Sequence, residues 1–186
     1  MGVPGAKSFH LIAPGYGNAS GILTGTANPY YVRFSTSNTS TVAADAAAQK
    51  PTFFSIWIGN NDVLSYATNG GTNTVKVNDV NTYVAATVQT SVDPTTYKSN
   101  DISSPQVVAG SIKTVLETLK ASGATKGIIA NIPYVTSIPY FTTVPYNAIP
   151  LTAAKAQALN TGLYQPMKNA LTYLSLIHIS EPTRRY

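Results

Sequence analysis

The chain of 186 residues contains no cysteine. A disulfide framework and a thiolate metal site are thereby excluded, and redox chemistry leaves the compartment open. Charge is scarce too: charged residues make up 10% of the sequence, against roughly 25% in ordinary soluble domains. Seven acidic residues face 12 basic ones, for a formal net charge of +5. The lysines are spread singly, and no basic run precedes Arg184 and Arg185. Nucleic-acid binding requires such charge on a stripe or helix face, so nucleic acid is not expected as a partner. Long apolar runs are lacking as well. None approaches the ~18 residues of a spanning helix, and the first residues do not read as a charged-then-apolar leader. Histidine occurs only at positions 10 and 178, and no cluster of metal-ligating residues is visible.

What is present suits one globular domain with a single core. Apolar residues make up 44% of the chain, too many for a disordered tail. Asn, Thr, Ser and Tyr dominate the remainder, a weakly charged polar surface of the kind that suits exported proteins. Residues 2–38 are rich in Gly, Pro, Asn and Tyr and read as a long irregular segment. Residues 41–49 are Ala-rich and predict a helix ended by Pro51. Residues 53–58 form a short apolar run closed by a turn at Gly59, Asn60, Asn61 and Asp62, as in a parallel strand buried on both faces. Residues 69–73 read as a turn and 80–92 as helical or mixed. Residues 106–121 carry Val107, Ile112, Val115, Leu116 and Leu119 at helical spacing, stopped by Gly123. Residues 126–131 predict a second buried strand, followed by a Pro-rich loop to Pro150. Residues 152–173 predict a final helix capped by Thr152 and disturbed by Pro166. This alternation predicts an α/β fold with a parallel sheet, whose functional loops lie at the carboxyl ends of the strands.

Two blocks sit at such places. Gly59-Asn60-Asn61-Asp62 follows the first buried strand, and Val3-Pro4-Gly5-Ala6 forms a sharp turn near the start. Together they resemble the third and second blocks of the GDSL/SGNH serine esterases and lipases. The strings 4–10 and 131–141 are similar to a Bacteroidetes-like branch of that family. The resemblance covers residues 2 to about 173 and implies a three-layer α/β/α (flavodoxin-like) hydrolase acting on carboxylic esters through an acyl-serine. It implies that the Gly5 N–H and the Asn61 side-chain amide are oxyanion-hole donors. Fixed donors aimed at charge that develops on the ester oxygen lower the barrier, and glycine puts no Cβ in the way of the acyl group. It implies a small-molecule or lipid ester substrate, no cofactor, no metal and an exported parent protein, and it leaves oligomeric state and ester preference open.

The departures are equally specific. The family's Gly-Asp-Ser nucleophile block occurs nowhere, and no serine has glycines at both −2 and +2. The positions three after Asp45, Asp62, Asp79, Asp93 and Asp101 hold Ala48, Ser65, Thr82, Thr96 and Ser104, so the Asp-x-x-His block is absent too. His10 has no acid near it in sequence and reads as structural. Residues 174–184 resemble a translated sequencing adapter, which would make 174–186 a non-native tail carrying His178. Residues 1–173 are therefore expected to be an internal, inactive fragment of a hydrolase domain, with Met1 an internal methionine. Two other functions are weaker. Residues 15–21 imitate a dinucleotide-binding glycine loop, but such a loop must open a helix and be followed by an acid ~20 residues on. A non-catalytic carbohydrate-binding module would call for an all-β pattern. The Pro-Tyr pairs beginning at Pro133, Pro139 and Pro145 are expected to be a loop stiffened by proline and packed by tyrosine, rather than an aromatic wall.

Overall fold

The computed structural model describes residues 1–143 and 151–173 and divides the chain into two units, Met1–Ser137 and Ile138–Tyr186. The first is a mixed helix and strand structure. Helix α1 (Val42–Ala48) begins where the Thr41 side chain accepts the Ala44 N–H. Strand β1 (Phe53–Ile56) follows, then helix α2 (Asn60–Thr68), strands β2 (Thr72–Val77) and β3 (Val80–Ala85), helix α3 (Pro105–Ala121) and strand β4 (Lys126–Ile129). β1 and β4 pair in parallel, with Phe53 opposite Lys126 and Ile56 opposite Ile129. α3 has proline in its first turn, where the missing N–H costs nothing. It ends as the sequence predicts: Gly123, at φ +106°, donates to Lys120 O while Ala124 donates to Leu119 O, a left-handed cap that L side chains resist.

The core lies on one face of the β1–β4 pair. Ile56 packs with Ala43 of α1, Val115 and Leu119 of α3, and Ala124, flanked by Phe54 and Ile58. Gly127 makes room for this layer, since a Cβ there would lie 2.3 Å from the Phe54 ring. The other face is bare: Phe53 is 56% exposed, Trp57 66% and Ile128 61%. The expectation that both strands are buried on both faces is thus corrected. β4 is exposed at all four positions, because α1 and α3 cover a single face and no third strand pairs with the sheet among the described residues.

Two further readings are corrected. The turn at 59–62 is a turn only at Gly59, after which Asn60 opens α2. Residues 72–85 form an antiparallel hairpin with Val77 opposite Val80, where 69–73 were expected as a turn and 80–92 as helical or mixed. The deciding feature is Asn78 and Asp79, whose φ angles of 50° and 61° make the two-residue turn that matches strand twist. Val75, Val77, Val80, Thr82 and Val84 then share one face by period-two alternation.

In the second unit, α4 (Pro139–Thr142) is short, and α5 (Ala153–Leu159) is capped by Thr152, which accepts the Lys155 N–H. The five-residue π-turn Asn160–Tyr164 joins it to α6 (Gln165–Tyr173). Gln165 donates to Asn160 O, a wider ring that relieves the clash Pro166 would impose on an α-helix. The adapter-like stretch and the third Pro-Tyr pair lie outside the described residues. Tyr134 and Tyr140 are 86% and 71% exposed, so neither packs its loop as expected. Among the described residues no helix is long and apolar enough to cross a membrane.

Candidate active site

The segment read as irregular, residues 2–38, is built of turns and 3-10 helices, yet it holds much of the buried structure. Val3-Pro4-Gly5-Ala6 is a turn closed by the Ala6 N–H on Val3 O at 3.2 Å, with Gly5 at φ +77°. Proline at the second position and a positive-φ residue at the third are the chemistry of a type II turn, and only glycine takes that φ without strain. The turn delivers Ala6, Lys7 and Ser8 into the interior, where each is at most 6% exposed.

There they meet the start of α2. Gly59, the residue before the helix, sits at φ +106°, and a Cβ on it would strike Ile132 at 2.6 Å. Glycine is therefore required twice over, by backbone and by packing. Ile132 belongs to the loop after β4, so the carboxyl ends of the two parallel strands converge at Gly59, as their order in the sequence suggests. Asn61 follows in the first turn of α2, and its Nδ2 donates to Ala6 O at 2.9 Å. Asn61 is thereby held against Ala6, the residue after Gly5, across 55 positions of chain.

Asp62, which sequence reasoning left without a role, is the anchor of this junction. It is 1% exposed. Its Oδ2 accepts the Ser8 N–H at 2.8 Å and its Oδ1 accepts the Ser8 hydroxyl at 2.9 Å. Its carbonyl accepts the Ser103 N–H at 3.1 Å. Lys7 reaches to a second carboxylate residue, donating its Nζ to Asp101 O at 2.8 Å. Burial pushes the Lys7 ammonium below its ordinary range, against the pull of Asp62 and Asp101. The Asp101 carboxylate accepts from Asn73 Nδ2 at 2.7 Å, the Thr87 N–H at 3.0 Å, the Lys98 N–H at 2.9 Å and the Gln89 amide. Burial raises the pKa of this acid, but the hydrogen bonds outweigh it and hold the carboxyl below its usual range. The available signal for Asp62 and Asp101 was rarity, since the sequence has only seven acidic residues.

His10 is a structural histidine here. Its Nδ1 accepts the Lys7 N–H at 3.0 Å, which leaves the proton of the neutral ring on Nε2. Its ring stacks on Tyr16 at 4.4 Å and 12°. Burial lowers its pKa from 6.5 to about 4, with Asp62 opposing and Lys7 reinforcing the change. Asn60 Oδ1 and Ser103 Oγ are buried without a hydrogen-bond partner among the described residues, the costliest polar atoms near this junction.

The glycine loop at residues 15–21 leads into a three-residue 3-10 turn, Ala19–Gly21, and not into a helix. Gly17 is there for packing: a Cβ would lie 2.5 Å from Ser35 Cβ and 2.9 Å from the Tyr31 ring. Among the described residues no cluster of three or more His, Cys, Asp or Glu is arranged to hold a metal. No family model, curated protein or solved structure matches the chain.

Proposed function

We propose that this chain is part of a carboxylic-ester hydrolase of the SGNH type and carries two of its oxyanion donors, the Gly5 N–H and the Asn61 amide. The observation that carries the reading is the 2.9 Å hydrogen bond from Asn61 Nδ2 to Ala6 O. It ties the Gly-x-Asn-Asp block to the glycine turn at the carboxyl end of a parallel strand, where open α/β sheets keep their sites. An amide nitrogen bears two hydrogens. With one held by Ala6 O, Asn61 is fixed in orientation, and the second is available to a developing oxyanion. Pre-set donors of this kind cost no reorganisation during the reaction.

In that reaction a base takes the proton of a serine hydroxyl as its oxygen attacks the ester carbonyl and the C=O π pair moves to oxygen; the oxyanion then collapses, the ester C–O bond breaks, and the protonated base returns that proton to the leaving alcohol. Water then releases the acid from the acyl-serine. Gly5 and Asn61 stabilise the oxyanion in both steps. They do not start either, because an oxyanion hole accelerates an attack that some nucleophile must make. The chain contains no Gly-Asp-Ser and no Asp-x-x-His, so by itself it is inactive in this account. Export of the parent protein follows from the same resemblance and from the weakly charged composition.

The test is a chimera in which an SGNH hydrolase supplies a Gly-Asp-Ser strand before residue 1 and an Asp-x-x-His segment after residue 173. Hydrolysis of p-nitrophenyl butyrate is expected, with kcat falling by about 10²–10³ on Asn61→Ala. A folded chimera whose turnover ignores that substitution would refute the role of Asn61.

A further inference from the structure

Helix α2 begins in the candidate active site and ends against Asn69, the residue after its last turn. Gly70 follows at φ +59°. The Gly71 N–H ends on Tyr66 O at 3.0 Å, and the Gly70 N–H ends on Ala67 O at 3.4 Å. These two bonds make a Schellman cap, whose left-handed residue is usually glycine. The cap thus sets a glycine directly behind an asparagine, and Asn69-Gly70 is the one Asn-Gly pair in the sequence.

Such a pair has chemistry of its own. The backbone nitrogen after an asparagine attacks the side-chain carbonyl and closes a five-membered imide, provided that no Cβ crowds it and its hydrogen is loosely held. Gly70 meets both conditions. The space where its Cβ would stand is open to 4 Å. Its N–H···O distance of 3.4 Å lies beyond the usual range of about 2.7–3.2 Å. Asn69 is exposed, so water reaches the site. Ring closure needs rotation about the Asn69 ψ, which stands at 18°. Gly70 and Gly71 follow that rotation at little steric cost. We infer that Asn69 is a site of spontaneous modification, which passes through a cyclic imide with Gly70 to aspartate and isoaspartate.

Hydroxide takes the Gly70 amide proton, the Gly70 N–Cγ bond forms, and the Cγ–Nδ2 bond breaks with loss of ammonia. Water then opens the imide, and nothing is oxidised or reduced. Cleavage at Cγ leaves aspartate. Cleavage at the main-chain carbonyl leaves isoaspartate, with one more carbon in the backbone between α2 and β2. Either product puts a negative charge at the C-terminal end of α2, where the helix dipole opposes it. Either also removes the bond from Asn69 Nδ2 to Ser65 O at 2.8 Å.

The fold does not expose the other asparagines in this way. Asn28 precedes a proline, which has no N–H to give up. Asn73 is 1% exposed and is held by the Asp101 carboxylate and the Asn100 N–H. Asn61 is tied to Ala6 O, and the Asp62 N–H behind it ends on Gly59 O. Asn78 is exposed in the hairpin turn, but Asp79 behind it carries a Cβ and a negative charge.

The test holds the full chain in warm, mildly alkaline buffer, maps it by peptide mass spectrometry and follows the loss of positive charge by ion exchange. Asn69 is expected to convert at least about tenfold faster than any other asparagine, to two products of equal mass. Another asparagine converting first would overturn the inference. So would a rate in urea more than about tenfold above the native one, since the cap would then be protecting Asn69. Aspartate as the sole product would mean direct hydrolysis without the imide, and would overturn it too. Asn69→Gln keeps the amide but needs a larger ring, and it is expected to remove the first acidic form. Persistence of that form in the variant would place the modification elsewhere.

Discussion

Two regions of this protein reverse the usual relation between loops and sheets. The loop layer is anchored by Asp45 of α1, Asp62 of α2 and the loop residue Asp101, each at most 2% exposed and each accepting hydrogen bonds from two or more groups. Asp45 is held by Thr36, Ser40 and the Tyr31 hydroxyl, which burial, the largest cause, pushes up to about 12. In the sheet, β4 is exposed throughout and β1 buries only Ile56. Apolar strands usually form the stable centre of an α/β domain and loops decorate it. Here the scarce acids have been spent on the loops, and the strands are left with one covered face. A buried carboxylate that satisfies several backbone donors at once can define a loop as tightly as a ladder defines a strand. A strand pair covered on one side leaves edges open.

Removing a buried carboxylate from the loop layer is expected to have the largest effect. Asp101→Ala leaves Asn73 Nδ2, the Thr87 and Lys98 N–H groups and the Gln89 amide without their acceptor. A loss of about 4 kcal/mol is expected, read from urea denaturation. A loss under about 1 kcal/mol would show that the loops do not depend on the carboxylate.

Acidification attacks the same layer. His10 has a folded pKa of about 4 against 6.5 for the free side chain. The unfolded chain therefore binds the extra proton first, and stability falls as pH drops from 6.5 toward 4, by about 3 kcal/mol in all. Asp45 and Asp101, both held low, add to the loss only as the pH falls below the unfolded carboxylate range. His10→Gln should flatten the window between 6.5 and 4 and leave the steeper acid limb in place. Thermal melts across pH separate the two, and an unchanged profile in the variant would assign the effect elsewhere.

The sheet responds less. Gly127→Ala puts a methyl 2.3 Å from the Phe54 ring, and because a side chain can yield where backbone cannot, about 1–2 kcal/mol is expected. Trp57→Thr, on the bare face, should change stability by no more than about 0.5 kcal/mol. A large effect there would mean that this face is covered in solution.

Part of this contrast was legible in the sequence. The helix of residues 105–121, its glycine stop, the two strands and their parallel order follow from periodicity and turn residues, which act locally. The cap at Thr152 and the break near Pro166 do as well. The hairpin was missed because Asn78-Asp79 is a weaker turn signal than Asn-Gly, and the valines beside it also fit a helical reading. The burial of the strands was overestimated because apolar composition shows what a strand prefers, and not what covers it. At the candidate site Gly5 and Asn61 were singled out through motif resemblance alone. Asp62, Asp101 and Lys7 were not, since the contacts that join them into one junction, Lys7 to Asp101, Ser8 to Asp62 and Asn73 to Asp101, span 94, 54 and 28 residues of chain.

Hydrogen exchange of the native chain, resolved by residue, tests the contrast itself. The Ser8 and Thr87 N–H groups end on the Asp62 and Asp101 carboxylates, and the Ser103 N–H ends on Asp62 O. The Ala130 N–H ends on Ile56 O in the parallel pair. If the loops are the stable scaffold, Ser8, Thr87 and Ser103 exchange more slowly than Ala130 and the amides of β1 and β4. If instead the strand amides are the slowest in the molecule and Ser8 exchanges with the bulk of the surface, the sheet is the scaffold and the account is wrong.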